Sequence, residues 1–255
     1  MKRKTTIGGS VPKQPWVVTA PNLARSSEVV HGFTTRMAPA DFATVLSKLD
    51  VPHRNFFSLK QIHSARVHSY GTEDSLHPPE QPPEGDAIVT SEDYVVIGVK
   101  TADCVPILFF DPNEMVVAAV HAGWRGVVRG VIEETLREMG RGYRVKPLTL
   151  VAAIGPSLCK KCFEVGPEVV SHFRGKMGEN LKVVSGSRDR SYLDLKEISR
   201  TILIQEGLSE KNISVLPFCT ICDNRLFYSH RKGDQMARSI AFIGLASWLF
   251  GPDAA

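Results

Sequence analysis

The amino-acid sequence predicts an α+β or α/β domain in which helices pack on a sheet. Short apolar runs, rich in β-branched and aromatic residues, follow one another between turn residues, which is typical of strands. Other segments repeat their apolar residues at helical spacing. No internal repeat or low-complexity run divides the 255 residues. We therefore predict one domain over residues 1–255, with a poorly structured stretch at 1–15.

The predicted elements start after a proline-rich segment. Residues 73–85 contain four prolines, so we predict a loop there. The runs that follow are almost uniformly apolar, which indicates strands covered on both faces. Helical spacing of apolar residues begins after them, at residue 127. Strands are predicted at 87–90, 94–99, 105–110, 115–120, 148–154 and 213–216, and helices at 127–139, 167–173, 195–206 and 235–250.

Composition excludes several classes of protein. A net charge of +4, from 31 basic and 27 acidic residues, is too small and too evenly spread for nucleic-acid binding. The basic start of the chain has no apolar segment behind it, so no secretory signal is expected. The longest apolar stretch is shorter than the roughly 20 residues of a membrane span. We therefore expect a cytoplasmic protein that binds neither nucleic acid nor membranes, and whose five cysteines are not paired in disulfides. The sequence leaves the oligomeric state open, and a monomer is favoured.

The most informative local feature is a turn, Asp111-Pro112-Asn113-Glu114, between two apolar runs. Asp followed by Pro is typical of a type I turn. A tight hairpin at this turn places Cys104 directly opposite His121, with Cβ atoms roughly 4.5–5.5 Å apart. A thiolate and an imidazole at that distance can share a metal ion or form a Cys–His dyad. A one-residue bulge would instead send them to opposite faces.

His121 also opens the run Ala122-Gly123-Trp124-Arg125-Gly126, which leads into the helix predicted from residue 127. Small residues before a helix expose backbone N–H groups to an anion. Arg125 adds a fixed positive charge there. The sequence thus predicts a phosphate or carboxylate site beside the Cys–His pair.

These residues belong to a longer series of motifs that resembles the YfiH-like family. This family is also known as laccase-domain or polyphenol oxidase proteins, purine nucleoside phosphorylases and peptidoglycan editing factors. The ADC-x-P and HAGWRG runs are the most specific of the motifs. They occur in order over nearly the whole chain, at residues 60–63, 85–87, 101–106, 121–126, 154–156, 163–166 and 227–231.

The resemblance implies an α+β fold of mixed β-sheets sandwiched by helices, with a cysteine-hydrolase-like architecture. It also implies a metal site made by His63, Cys104 and His121. One cysteine and two histidines with an open fourth position match catalytic zinc. Copper is the competing ion, but multicopper laccase chemistry needs many histidine ligands. Of the eight histidines in this chain, the resemblance implies only His63 and His121 as ligands. We therefore expect Zn²⁺.

The activity implied by the family is phosphorolysis of adenosine, inosine and methylthioadenosine, with adenosine deamination at the same centre. The expected partners are thus a purine nucleoside and phosphate. We expect Arg125 and Arg231 to bind phosphate, and Gln61 and Asp103 to bind substrate or to orient the metal ligands. Three histidines are expected to be solvated or structural: His68, His77 and His230.

Three alternatives remain open at this stage: a peptidoglycan-precursor editing hydrolase with a Cys–His centre, a copper-dependent polyphenol oxidase, and a binding module without turnover. The remaining cysteines form two C-x-x-C pairs, Cys159/Cys162 and Cys219/Cys222. Together they could bind a structural zinc. More than fifty residues separate the pairs, so reduced, packed thiols are the default expectation.

Overall fold

A computed structural model of the protein describes residues 16–49, 56–77, 79–93 and 95–246. The stretch 1–15, predicted to be poorly structured, lies outside them. The strands are β1 Val17–Val18, β2 Val29–Thr34, β3 Phe56–Ser58, β4 Val67–Ser69, β5 Ala87–Thr90, β6 Val96–Thr101, β7 Val105–Asp111, β8 Val116–Ala122, β9 Val151–Ile154, β10 Glu164–Val165, β11 Val184–Ser185, β12 Ser191–Tyr192, β13 Ile213–Val215 and β14 Ser239–Leu245. The helices are α1 Phe42–Ser47, α2 Thr72–Leu76, α3 Trp124–Arg129, α4 Val131–Tyr143, α5 Pro167–Met177 and α6 Leu195–Gln205.

Two large mixed sheets lie face to face between helices. One has the strand order β1-β2-β14-β6-β3 and the other β13-β9-β7-β8-β5-β4. Val117 and Ala119 of β8 pack in one apolar cluster with Ile97 and Ile243 of the first sheet. The alternate residues of β8 pack in a second cluster with residues of α4, α5 and α6. Helix α1 covers the outer face of the first sheet, so the predicted α+β class, with mixed sheets sandwiched by helices, is confirmed.

The β7–β8 hairpin forms, but its predicted register is wrong. Asp111 pairs with Val116, not with Glu114, and Pro106, not Cys104, lies opposite His121. The connection is longer than a tight turn because the Asp111 carboxylate accepts the N–H groups of Asn113 and Glu114, at 2.8 and 2.9 Å. The error is two residues, and side chains alternate with a period of two. Both site residues therefore stay on the same face.

The helix predicted over 235–250 is also wrong, because its central residues form the strand β14. This strand lies inside the five-stranded sheet, where it pairs with β2 on one side and β6 on the other. Phe242 packs toward α1, whereas Ala241 and Ile243 pack toward the second sheet. A strand buried on both faces has no polar alternation, so its apolar run resembles a buried helix. Residues 247–250 of this prediction lie outside the described residues.

Two smaller predictions need correction. The helix predicted over 127–139 is two helices, because Gly130, with a φ of 92°, ends α3 and caps α4. The loop predicted over 73–85 contains most of α2. Among the described residues, no helix is long and apolar enough to cross a bilayer.

Candidate metal centre

The β7–β8 hairpin delivers two of the three predicted ligands. Cys104 directly precedes β7, and His121 is the sixth residue of β8. Both are in phase with the residues that face the five-stranded sheet, such as Leu108 of β7 and Ala119 of β8. The two side chains therefore enter the space between the sheets at one end of the hairpin.

His63 comes from the segment between β3 and β4, on a backbone in the left-handed region with a φ of 57°. Non-glycine residues rarely adopt that conformation unless surrounding contacts hold it. Here the His63 carbonyl accepts a hydrogen bond from Arg129 Nη1 at 2.6 Å. Its N–H donates to Asp86 Oδ1 at 3.0 Å. Hydrogen bonds to both backbone polar groups of His63 thus hold this residue in place.

Asp86 holds two of the three predicted ligands in position, although the sequence did not predict a role for it. It directly precedes β5, its carbonyl accepts the His121 N–H at 2.7 Å, and its Oδ1 is 2.8 Å from His121 Nδ1. Its other oxygen accepts the N–H and the hydroxyl of Ser64, at 2.6 and 2.7 Å. The carboxylate thus folds the turn that carries His63 and orients the His121 ring, which leaves His121 Nε2 for a metal.

The three donor atoms converge. One ligand atom each of His63, Cys104 and His121 lies within 4.8 Å of the others. The two imidazole rings are 4.9 Å apart between centroids and inclined by 77°. Gly123 provides the space, because a Cβ there would lie 2.9 Å from His63 Cδ2 and 3.1 Å from Cys104 Sγ. Any larger residue would press on the donor set.

Electrostatics favours the thiolate form of Cys104. Burial acts to raise its pKa, but hydrogen bonds to His121 and His63 lower the pKa to about 6. Burial acts to lower the pKa of His121, yet its bonds to Asp86 and Cys104 raise that pKa to about 9. Burial also opposes ionisation of Asp86, whose pKa is nevertheless lowered to about 2 by His121 and Ser64. The sulfur is therefore in its metal-binding form at neutral pH.

A cavity of about 490 Å³ opens onto the three donors, within the size range of small-molecule sites. Three cationic side chains line it: Lys100, Arg231 and Arg238. Trp124 and Phe163 contribute aromatic surface to its wall. The space beside the donors therefore suits a ligand with an anionic group and a flat ring.

The other predicted site residues lie in different places. Gln61 lines the cavity, but both ends of its amide bond the backbone of Lys100, at 2.8 and 2.7 Å. Asp103 has a φ of 90° and accepts hydrogen bonds from Thr220 Oγ1 and the Arg231 N–H, at 2.6 and 2.8 Å. These two residues lie beside the ligands with their polar groups already bonded to the protein.

The two predicted phosphate-binding arginines differ. Arg231 lines the cavity, and its guanidinium donates to the carbonyls of Cys162 and Glu164, at 3.3 and 2.9 Å. Arg125 is exposed, with its guanidinium 4.3 Å above the ring of Trp124. Only Arg231 of the pair is among the cavity residues.

Four further residues line the cavity although the sequence did not predict a role for them there. Lys100, Trp124 and Arg238 had no assigned role, and His230 was expected to be solvated or structural, yet all four line the cavity. Trp124 lies within the HAGWRG run, which is a signal that could have identified it. Nothing in the spacing of Lys100 or Arg238 indicates the cavity.

The two C-x-x-C pairs meet in space. The sulfurs of Cys159, Cys162, Cys219 and Cys222 lie within 4.8 Å of one another, and all four are free thiols. This four-cysteine cluster is the second of two groups of metal-ligating side chains among the described residues.

A family model described as multi-copper polyphenol oxidoreductase laccase matches residues 35–246. The chain belongs to this laccase family. The predicted YfiH-like resemblance is thereby confirmed, since similar proteins and structures carry that name. The description of the family names copper.

Curated relatives carry names of purine enzymes. The chain is 32% identical over 256 residues to a purine nucleoside phosphorylase of Deinococcus radiodurans, with 90% of this chain and 92% of the relative covered. It is 35% identical to purine nucleoside phosphorylase YlmD of Bacillus subtilis over 63% of this chain. It is 40% identical to adenosine deaminase RL5, from an unknown prokaryotic organism, over 58% of this chain. The matched regions span 58% and 56% of these last two relatives.

Solved structures share the fold of this laccase-family member. YlmD from Geobacillus stearothermophilus superposes with a TM-score of 0.79 at 27% identity, covering 89% of this chain and 94% of that one. The hypothetical protein YfiH from Bacillus licheniformis gives 0.81 at 23% identity, covering 91% and 97%. The expected YfiH-like architecture is confirmed.

Proposed function

We propose that the protein is a zinc-dependent purine nucleoside phosphorylase with adenosine deaminase side activity. Its substrates would be adenosine, inosine or methylthioadenosine together with phosphate, and its products the free base and a ribose 1-phosphate. The convergence of His63, Cys104 and His121 within 4.8 Å, beside a cavity lined by cations, carries the proposal. The names of the relatives support it. The proposal includes the expected cytoplasmic location and monomeric state.

The donor set fits zinc. One thiolate and two imidazoles leave a fourth position toward the cavity, which is the pattern of catalytic rather than structural sites. Gly123 leaves the space beside the donors free, because a Cβ at this position would lie 3.1 Å from Cys104 Sγ. When bound there, zinc supplies a Lewis acid and activates water for attack on a purine. Asp86 fixes the tautomer of His121 so that Nε2 faces the ion.

The cavity residues suit phosphorolysis. A phosphate oxygen forms a bond to ribose C1′ while the bond from C1′ to the purine nitrogen breaks, and the base leaves with the electron pair and takes up a proton. Lys100, Arg231 and Arg238 offer positive charge to hold phosphate against C1′. The faces of Trp124 and Phe163 offer stacking surface for the purine. Holding both reactants in one cavity supplies much of the rate enhancement.

The decisive experiment is to incubate purified protein with adenosine, with and without phosphate. We expect ribose 1-phosphate only when phosphate is present, and slower release of ammonia in either case. Cys104→Ser, which removes the sulfur ligand, should lower both rates by more than about 100-fold, since loss of even an outer partner of a metal ligand costs up to that much. Unchanged nucleosides with zinc-loaded protein would leave editing or binding as the function.

A second measurement tests the phosphate site. Arg231→Ala should raise the KM for phosphate by about 10-fold or more, since a hydrogen bond from a charged group contributes roughly 1.5–3 kcal/mol. Arg125→Ala should have a smaller effect, because Arg125 reaches the cavity only through its contact with Trp124. An unchanged phosphate KM in Arg231→Ala would remove Arg231 from this role.

Copper-dependent polyphenol oxidation is the second candidate, because the description of the family names it. Multicopper chemistry needs several ions with histidine-rich ligand sets. Within the described residues, only one cluster of potential ligands contains histidine, and it fits one ion. Metal analysis followed by an oxygen-uptake assay with phenols distinguishes the two candidates, and oxygen uptake that requires copper would favour oxidation.

A further inference from the structure

The four-cysteine cluster is built from two short segments that follow two neighbouring strands of one sheet. Cys159 and Cys162 follow β9, and Cys219 and Cys222 follow β13, which pairs with β9 in parallel. An isolated bridge between Ser157 and Cys219 continues that pairing toward the sulfurs. The strand pairing thus fixes which cysteines meet.

The distances match one ion and not a disulfide. Four thiolates around tetrahedral zinc, at about 2.3 Å from it, lie roughly 3.8 Å apart. Cys162 Sγ and Cys222 Sγ are 3.6 Å apart, and all four sulfurs fall within 4.8 Å of one another. A disulfide, with sulfurs about 2.0 Å apart, would join only two of the four cysteines and would not explain why the other two sulfurs lie beside them.

The surrounding backbone is arranged to hold sulfur. Cys162 N–H and Phe163 N–H donate to the Cys159 carbonyl, at 2.9 and 3.0 Å, which closes a turn between the first two sulfurs. Cys219 N–H donates to Asp223 Oδ2 at 2.8 Å, which fixes the second turn. Cys159 N–H lies 3.4 Å from Cys219 Sγ and donates to it. Turns that aim amide hydrogens at cysteine sulfur stabilise thiolates.

Positive charge is placed beside the cluster. Lys196 is 7% exposed, and its ammonium donates to the carbonyls of Leu216 and Phe218, at 2.9 and 2.6 Å, next to the second cysteine pair. Lys160 and Lys161 lie between the first two cysteines and are exposed. Zinc with four thiolates carries a net charge of about −2, which these ammonium groups would balance.

We propose that Cys159, Cys162, Cys219 and Cys222 bind a second, structural zinc ion that clamps the 157–163 segment to the 219–231 segment. The clamp reaches the cavity through two contacts. The Cys162 carbonyl accepts a hydrogen bond from the Arg231 guanidinium. Thr220, next to Cys219, donates to Asp103 beside the Cys104 ligand. The zinc site itself does not depend on the proposed enzymatic function, but its effect on phosphate binding does.

Metal counting tests the site. The parent protein, purified without chelator, is compared by elemental analysis with the double variant Cys162→Ser/Cys222→Ser, with Lys182→Ser as a control at an exposed residue outside the cluster, and with Cys104→Ser. We expect the double variant to lose one zinc per chain and Lys182→Ser to lose none. Cys104→Ser should retain the zinc of the four-cysteine cluster. Equal zinc in the parent and the double variant overturns the proposal.

A measurement that leaves the cluster unchanged covers the case in which the double variant does not fold. In Cys104→Ser the only remaining cysteines are the four of the cluster. Titration of this variant with a mercurial reagent that captures thiolates should release its zinc in proportion to four sulfurs, and cobalt substituted for zinc should show strong thiolate-to-cobalt absorption. A mass two hydrogens below that of the reduced chain, with no zinc released, would indicate a Cys162–Cys222 disulfide and overturn the proposal.

The positional role has its own readout. The double variant should raise the phosphate KM by about fivefold, because Arg231 loses its fixed partner, while phosphate-independent deamination changes little. If zinc is lost and the phosphate KM is unchanged, the ion is structural but does not position Arg231. If no variant, nor the parent, has activity on nucleosides, the proposed function fails while the zinc count still decides this site.

Discussion

The proposed centre of His63, Cys104 and His121 and the proposed zinc site of the four-cysteine cluster would bind a metal ion with different sets of donors. The first takes nitrogen and sulfur donors from three distant segments and opens onto a cavity of about 490 Å³. The second takes only sulfur from two short turns, and none of its cysteines lines that cavity. An incomplete mixed ligand set leaves a position for substrate, whereas a closed thiolate set joins backbone segments.

The two regions also differ in what supports the donors. A buried carboxylate, Asp86, orients the histidine centre, whereas the cysteines are oriented mainly by backbone N–H groups, with Asp223 as the one side chain that fixes a turn. A side chain that supports a ligand can be removed by one substitution, but a backbone amide cannot. Substitutions around the first centre should therefore change activity, and those around the second should change stability.

Among the residues that support the donors, the largest effect is expected from Asp86→Asn, which removes the carboxylate that accepts the His121 and Ser64 hydrogen bonds. Zinc affinity at the first centre and kcat/KM should each fall by about 10–100-fold, as they do when outer partners of metal ligands are lost. Chelator competition and steady-state kinetics measure these changes. Asp111→Asn is the matched control, since Asp111 is equally buried at the far end of β7. Similar losses of zinc in both variants would show that Asp86 acts only on folding.

An intermediate effect is expected from Gly123→Ala. The added Cβ would lie 2.9 Å from His63 Cδ2 and 3.1 Å from Cys104 Sγ. Overpacking typically costs 1–3 kcal/mol, so zinc binding at this centre should weaken by about tenfold while the four-cysteine cluster keeps its metal. Gly175→Ala in α5, where an added Cβ meets nothing within 4 Å, should leave both sites intact. Full zinc affinity in Gly123→Ala would mean that the donors move apart easily.

The smallest effect on metal binding is expected at His31, which is not among the residues of either metal site and acts on acid stability instead. His31 is buried, and Ala20 N–H donates to its Nε2 at 2.9 Å. Burial lowers the pKa of His31 to about 4. Because the folded state prefers the neutral ring, its stability is full above pH 6.5 and falls as the pH decreases toward 4, by about 3 kcal/mol in total.

His31→Gln should remove that part of the pH dependence. Urea unfolding of metal-free protein at pH 7.5, 6 and 5 measures it, and the parent should lose stability more steeply than the variant. An identical slope in both proteins would assign the acid sensitivity elsewhere.

Much of the centre could be predicted from the sequence, because the hairpin turn and the motif series identify Cys104, His121 and His63 as partners. The register of the β7–β8 hairpin could not be predicted. The Asp111 side chain lengthens the connection by accepting hydrogen bonds from two backbone N–H groups, and residue types alone do not reveal this effect. Asp86 was missed for a related reason. Its contact with His121 depends on the pairing of β5 with β8, two strands that are not consecutive in the chain.

Strands that are buried on both faces were harder to predict from the sequence. The β14 segment was assigned to a helix because its apolar run carries no polar alternation, and only the neighbouring strands β2 and β6 show why. The four-cysteine cluster was visible as two C-x-x-C pairs, but only the parallel pairing of β9 with β13 brings them together. Local motifs could be identified from the sequence, whereas the pairing of strands that are distant in the chain could not.

The double use of Asp86 has a consequence for metal loading. The same carboxylate shapes the turn before one imidazole and aligns the other, so the two nitrogen donors become available together and not one after the other. One substitution at residue 86 would therefore release both imidazoles from their positions at once.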